Sequence, residues 1–384
     1  MKEEGEKRER SILTQLYVRN YRSIEEMRLD FGPLTVLVGP NGSGKSNIID
    51  VLRFVRDALR LGLENAILNR HGMSALRRWS SKGRPYDVHI EVRFHVHGED
   101  VLYAFTLGSI RRGEYRVKWE KYDGTREGKS FGYEIKNGRW VQPPYNKQRP
   151  ERAPYRGSRE EKGEMVGPEP QLTLFLPRVF LPFANIQRFI HGMGFYTIYP
   201  NLLHEPQKPA NPYPLDERAQ NLASVLKSMQ RNMKRERRAR PTFSTLLEAL
   251  SLAVDGISDI SVTQTGGYLV TRLHHGQKGP AFPLTQESDG TLRLLGLLTA
   301  LYQSPPRSLL AIEEPELTVH PGALGVLRDV LLEISEYSQL LITTHSPDLL
   351  YSLPAQTLRV VEKRNNTTLV GEVAEEQRQA IAGK

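Results

Sequence analysis

The stretch VGPNGSGKSN, Val38 to Asn47, lies between an apolar run, Leu34 to Leu37, and the segment IIDVLRFVRDAL, whose apolar residues recur at helical spacing. Gly39, four residues, and then Gly44-Lys45-Ser46 match the phosphate-loop pattern G-x-x-x-x-G-K-[ST], and buried strand, loop and helix follow in the order that motif requires. Glycines let the backbone curl so that successive N–H groups converge on phosphate oxygens, and the positive end of the helix opening near Lys45 adds a favourable field. The candidate nucleotide contacts are Gly39, Pro40, Asn41, Gly42, Ser43, Gly44, Lys45, Ser46 and Asn47. Lys45 is suited to the β- and γ-phosphates and the Ser46 hydroxyl to Mg²⁺. A glycine-rich turn with an exposed lysine is the bland reading, and the flanking strand and helix weigh against it.

Composition sets bounds around this stretch. A chain of 384 residues can bury a sizeable core in one large or two intimately connected domains. Cysteine is absent, which excludes disulfides and thiolate metal sites and fits a reducing compartment. No apolar run approaches the length that spans a bilayer, and the start MKEEGEKRERS lacks the apolar core of a signal peptide, so a soluble, cytoplasmic protein without membrane contact is expected. The net charge of +9 favours polyanionic partners, although solubility accounts for part of it.

Outward from the loop, Ile12 to Arg19 and Glu25 to Leu29 read as strands joined by a turn at Asn20-Tyr21-Arg22-Ser23. Apolar residues alternate from Asp87 to His97, and Val101 to Leu107 and Tyr115 to Lys121 look similar, which predicts an antiparallel patch. From about Gly138 to Pro170 the chain is rich in Pro, Gly, Arg and Glu and predicts an exposed or partly disordered loop. Helices are expected over Asn185 to Phe195, Ala219 to Asn232 and Thr242 to Val254. Strands near Ile257 to Gln264 and Tyr268 to His274 follow. The remainder alternates helix Thr291 to Tyr302, strand Ser308 to Glu313, helix Gly322 to Ser335 and strand Gln339 to Thr343, the signature of a parallel sheet under helices. Three segments result: an N-terminal lobe over 1–137, an insertion and helical lobe over 138–255, and a C-terminal lobe over 256–384.

The second informative stretch is SLLAIEEPELTVHP, Ser308 to Pro321, a short apolar strand ending in Glu313 and Glu314. Paired carboxylates at that point suit one acid that organises Mg²⁺ and one that activates water. Alone, the pair reads more readily as a solvated acidic turn. It is accompanied by LLITTHSPD, which places His345 after a second apolar strand, and by TQESDGTLRLLGLL, which places Ser288 to Thr291 at the start of an apolar helix.

The ordered set GPNGSGKS, ESDGTLR, LLAIEEPE, ELTVHP and ITTHSP resembles the ABC-type ATPases of the RecF, SMC and OLD group, most closely compact bacterial ATPases with SDGTLR and IEEPE. The opening RNYRSIEE, Arg19 to Glu26, is similar too. The resemblance covers about 1–60 and 284–350. It implies an α/β fold, a P-loop NTPase with an ABC-ATPase head, an antiparallel β patch and an inserted helical lobe. It further implies that Gly39 to Ser46 form the Walker A loop, Glu313 the Walker B acid, Glu314 the catalytic glutamate, Ser288 and Gly290 the fixed residues of the signature, and His345 the switch histidine. Glu in place of the commoner Asp at Glu313 lengthens the arm toward Mg²⁺. The Q-loop glutamine has two candidates, Gln171 and Gln187.

With one Walker A loop and one signature per chain, the resemblance implies a head-to-tail homodimer that sandwiches two ATP molecules. A serine hydroxyl and free N–H groups at the signature helix start suit a terminal phosphate from the partner copy. Ser288 as a simple N-cap, His345 as a strand-end histidine and Arg22 as an exposed arginine are the bland readings. His320 reads equally as a family histidine or a helix-start residue. Lys227 to Arg240, KSMQRNMKRERRAR, carries seven basic residues against Glu236 and suits DNA phosphates, an acidic partner or plain solvation. Two functions follow as expectations. One is a DNA-associated ATPase in genome maintenance or phage defence. The other is a regulatory ATPase that holds and releases a separately encoded toxin or nuclease. In the related OLD proteins a nuclease domain follows the ATPase, and the roughly 30 residues after Leu353 are too few for one.

Overall fold

A computed structural model of the chain describes residues 10–79, 85–109, 114–126, 128–142, 159–161, 164–166, 171–175, 183–235, 242–276 and 279–373. The chain begins with β1 (Ile12–Tyr21), β2 (Ile24–Asp30), β3 (Leu34–Val38), α1 (Lys45–Arg60), α2 (Leu63–Leu68) and α3 (Met73–Leu76). Next come β4 (Val88–Val96), β5 (Glu99–Ser109), β6 (Tyr115–Arg126), β7 (Lys129–Lys136), β8 (Arg139–Gln142), β9 (Arg159–Glu161), β10 (Glu164–Val166), α4 (Ala184–His191) and β11 (Gly194–Tyr196). Then follow α5 (Leu222–Arg235), α6 (Thr242–Ala253), β12 (Ile257–Thr265), β13 (Tyr268–His275), β14 (Ala281–Pro283), α7 (Asp289–Tyr302) and β15 (Leu309–Glu313). The last elements are α8 (Leu324–Ser335), β16 (Gln339–Thr344), α9 (Pro347–Ser352), β17 (Leu358–Arg364) and β18 (Thr367–Glu372). Two compact units share the chain, one built from 1–32, 39–193 and 360–372, the other from 33–38, 194–359 and 373–384.

The first unit carries a nine-stranded antiparallel sheet in the order β2-β1-β4-β5-β6-β7-β8-β10-β9. Period-two patterning explains its inner face: Val88, Ile90, Val92, Phe94 and Val96 of β4 are all buried while the residues between them are not. Helix α1 contributes Phe54, whose ring lies 6.0 Å from Tyr21 of β1 and 6.3 Å from Phe105 of β5. Within this core, Asp50 of α1 accepts from the Tyr21 hydroxyl at 2.6 Å and pairs with Arg70 at 3.0 Å and Arg22 at 3.1 Å. Burial, then the Asp50 charge, pushes the Tyr21 phenol well above its ordinary range. Arg22 is thus tied to α1 and half-buried rather than a free surface arginine.

Part of the expected loop over Gly138 to Pro170 is strand instead. β8 pairs with β7 through Ile135↔Trp140 and Lys136↔Arg139, and β10 joins it through Val166↔Arg139. An existing edge supplies the backbone partners that composition cannot reveal. The expected disorder over 143–158, 162–163 and 167–170 lies outside the described residues. Nearby, the buried Glu120 carboxylate accepts from Tyr133 at 2.8 Å, Tyr103 at 3.0 Å and the Thr173 amide at 2.8 Å.

The second unit holds a parallel sheet in which β11, β15, β16 and β3 are neighbours in that order. Its central strands are continuously apolar and buried, as a sheet covered on both faces demands. Glu313 pairs in register with Thr343, and Thr343 with Leu37, so the three strands end together. The crossover α8 joins β15 to β16, and α7 is buried at every position from Thr291 to Tyr302. An antiparallel trio β12-β13-β14 completes the unit. The β17 and β18 hairpin has no counterpart among the expected elements, because Arg359, Glu362, Lys363 and Arg364 break its apolar pattern.

Candidate functional site

The phosphate loop is built by its main chain. Gly42 has φ 77° and Gly44 φ 108°, both in the region that side chains disfavour, and Gly44 caps α1. A Cβ at Gly44 would collide with Thr368 of β18, and one at Gly39 with the Val361 carbonyl of β17. The glycines therefore serve close approach as well as conformation. Lys45 is buried, its ammonium donating to the Gly39 carbonyl at 2.6 Å and the Pro40 carbonyl at 3.1 Å. The loop thus holds the cation against its own acceptors. The Ser43 hydroxyl is buried and makes no hydrogen bond among the described residues. A lysine poised over the loop, an orphaned hydroxyl and a helix start fit an anionic phosphate chain. Ser46 is exposed at the start of α1.

The acidic strand end belongs to the other unit. β15 stops at Glu313, and Glu314 adopts φ 46° with its amide donating to the Thr343 carbonyl at 3.0 Å. Its carboxylate lies 3.2 Å from Nδ1 of His345, which follows β16. Both side chains keep partial access to solvent. The structure therefore joins Glu314 and His345, two candidates drawn from separate motifs. Arg293 of α7, absent from the sequence candidates, is fully buried. It donates to the carbonyls of Ile198 at 2.6 Å, Glu314 at 2.8 Å and Glu313 at 3.4 Å. Burial lowers its pKa, against the opposing pull of Glu316 and Glu314. The signal for it is the one basic residue in a largely apolar helix, the Arg of ESDGTLR.

At the signature, Ser288 caps α7, its Oγ accepting from the Thr291 amide at 3.2 Å. A Cβ on Gly290 would meet the Thr318 carbonyl. Flanking carboxylates are paired with histidines: Asp289 with His204 at 2.9 Å and Glu287 with His275 at 2.9 Å. A cleft of about 690 Å³ opens here, lined by Ser288, Gly290, Leu252, Thr318 and His320 among others. His320 itself caps a short 3₁₀ turn, its Nδ1 accepting from the Gly322 amide at 3.1 Å.

Other candidates have local partners. Gln171 accepts from the Leu63 amide at 3.0 Å and Gln187 donates to the Leu174 carbonyl, so each is used within its own unit. Of the basic run, α5 includes Lys227 and the exposed Arg231, while Glu236 to Arg240 lie outside the described residues. Among the described residues no helix is long and apolar enough to cross a membrane.

Comparison with known proteins bears on this geometry. Residues 34–350 match the family described as "AAA domain, putative AbiEii toxin, Type IV TA system". The chain is 46% identical over 44 residues to an OLD nuclease of Thermus scotoductus, covering 12% of this chain and 8% of that protein. It is 36% identical over 88 residues to the DNA replication and repair protein RecF of Magnetococcus marinus, covering 23% of this chain and 19% of that one. The matched stretches are thus small parts of both relatives. Among solved structures, the SMC head bound to the C-winged helix domain of ScpA superposes with a TM-score of 0.57 at 14% identity, over 96% of this chain and 99% of that one, which shows the fold. With loop, acids, signature and head fold in one chain, the protein belongs to this AAA-domain family and is an ABC-type ATPase of the RecF, SMC and OLD group.

Proposed function

We propose that the chain binds ATP through Gly39 to Asn47 and hydrolyses it with Glu314 as general base, two copies closing head to tail over two ATP molecules to drive association with DNA. The observation that carries this reading is the common end of the parallel strands. Val38 pairs with Thr344 and Glu313 with Thr343, so the chain leaves β3 for the phosphate loop at the sheet edge that presents Glu314 and His345. Ligands of parallel α/β sheets bind at that carboxyl edge. Mg²⁺ would be held by the Ser46 hydroxyl and Glu313, an ion that needs few protein ligands because phosphates and water complete its shell. Glu314 would take the proton of the attacking water, with His345, 3.2 Å from it, orienting the carboxylate and contacting the γ-phosphate.

In this scheme Ser288 and Gly290 bind the terminal phosphate held by the partner copy, and the cleft beside them receives it. Glu314→Gln keeps size and hydrogen bonding but loses the base, so ATP should bind while hydrolysis falls about 100-fold or more. Light scattering with ATP and Mg²⁺ should then show a dimer. Ser288→Arg in the same background should restore the monomer. Equal ATP-dependent dimerisation of both proteins would remove the trans role of the signature.

The matched family's description refers to a toxin–antitoxin system, a context in which a second reading also fits. In it the ATPase holds a separately encoded toxin or nuclease effector and releases it on a trigger, with DNA incidental. The readings part on one measurement: duplex DNA should stimulate ATP turnover under the first and leave it unchanged under the second.

A further inference from the structure

The phosphate loop is braced from behind by side chains of the N-terminal turn and the C-terminal hairpin. Asn47 Nδ2 lies 2.6 Å from Ser23 Oγ, Ser23 Oγ lies 2.6 Å from Thr368 Oγ1, and Thr368 Oγ1 lies 3.1 Å from the Ser43 carbonyl oxygen. A main-chain bond from the Thr368 amide to the Ser23 carbonyl, 3.0 Å, fixes the spacing of hairpin and turn. The direction of every bond in the relay follows from chemistry. A carbonyl oxygen only accepts, so the Thr368 hydroxyl proton goes to Ser43. The Thr368 oxygen then accepts from the Ser23 hydroxyl, whose own oxygen accepts from the Asn47 amide.

This polarity has a consequence at the next atom of the loop. In a trans peptide the C=O and N–H of one plane point in opposite directions. Holding the Ser43 carbonyl toward Thr368 therefore turns the Gly44 N–H away from Thr368. Gly44 has no Cβ, which lets Thr368 approach closely enough to make the bond. We propose that Thr368 is a positioning residue for ATP binding, orienting the Gly44 amide as a phosphate donor through the Ser43–Gly44 peptide, with Ser23 and Asn47 fixing the orientation of its hydroxyl. The inference rests on the nucleotide reading of the phosphate loop.

An amide that binds phosphate alike in ground and transition states changes KM and leaves kcat nearly alone. Thr368→Val keeps the shape and removes the hydroxyl. On the full chain it should raise the ATP dissociation constant and KM about tenfold with kcat within about twofold. The inhibition constant of inorganic triphosphate should rise by the same factor, which places the loss in the cradle. Thr368→Ser, which retains the hydroxyl, should bind ATP as the natural chain does. Ser23→Ala, which leaves Thr368 without its donor, should weaken binding about threefold and serves if Thr368→Val does not fold. Wild-type triphosphate affinity in Thr368→Val, or in Ser23→Ala where Thr368→Val does not fold, would overturn the proposal. So would an equal loss in Thr368→Ser and Thr368→Val. Lys45→Ala in the same titration tests the nucleotide reading itself: unchanged affinity there would remove that reading, whereas loss there with no effect of Thr368→Val removes only the brace.

Discussion

The phosphate loop and the acidic strand end solve one local problem in opposite ways. At the loop, backbone must enter the left-handed region, and glycine takes it there at Gly42 and Gly44 with little cost. At the strand end the same region is occupied by Glu314, φ 46°, a residue whose carboxylate the proposed chemistry uses. A non-glycine residue held there costs about 1–3 kcal/mol and persists only where its surroundings over-determine it. Those surroundings are visible: Thr343 takes the Glu314 amide and Arg293 takes its carbonyl. The loop works through main chain that the sequence can supply with glycine. The acid works through a side chain whose backbone other residues must hold.

The comparison is broken most directly by putting a side chain into the loop. Gly44→Ala should lose ATP affinity by more than about 100-fold, because alanine at φ 108° is strained and its Cβ meets Thr368. Lys45→Ala should lose ATP to a similar degree by removing charge alone. Calorimetry reads both losses, and thermal unfolding separates them: Gly44→Ala should melt earlier, Lys45→Ala close to the natural chain. An unstrained Gly44→Ala that binds ATP would show that conformation does not govern the loop.

A smaller effect is expected where the acid's backbone is held from outside. Arg293→Met fills much of the same space but leaves the buried Ile198 carbonyl without its side-chain donor and the Glu314 carbonyl with the Leu317 amide, at 3.1 Å, in place of the guanidinium. Stability should fall by about 1–3 kcal/mol, read by urea unfolding. ATP turnover should fall about tenfold with the ATP dissociation constant within about twofold, since the phosphate loop is untouched. A loss of binding matching the loss of turnover would mean that Arg293 serves the loop instead.

These two regions also mark what was legible beforehand. Val38 to Asn47 could be read because glycine spacing and a flanking apolar strand are local properties, and the acids and His345 because apolar strands end on them. The bracing residues were not legible. Thr368 lies more than 300 residues from Gly44, and nothing in a threonine within a polar hairpin announces a partner. Arg293 sits within a recognisable motif but its task is hidden, since its partners are main-chain carbonyls that no side chain advertises. β8 and the β9–β10 hairpin fall in a stretch whose composition predicts loop, because short edge strands carry too few residues to show a period. In the antiparallel sheet most neighbours are consecutive strands, and the β1–β4 pairing, which joins residues as distant as Ile12 and His95, is the one that local pattern cannot reveal.

A third kind of contact, charge without fixed geometry, should give the smallest effect and completes the ranking. On α5 the Lys227 ammonium reaches Gln264, at 3.4 Å, and Arg231 is exposed, so neither is locked in place among the described residues. If this helix and the basic residues after it meet DNA phosphates, each contact contributes mainly through counterion release. Replacing Arg231, Arg235, Arg237 and Arg238 with glutamine should weaken duplex binding about threefold to tenfold near physiological salt, equally for all sequences. The slope of log affinity against log salt should flatten, while DNA-free ATP turnover stays as it is. Titrations at several salt concentrations decide the matter. An unchanged slope removes the arm from DNA binding, and a loss confined to one sequence would mean base contacts where only backbone charge is proposed.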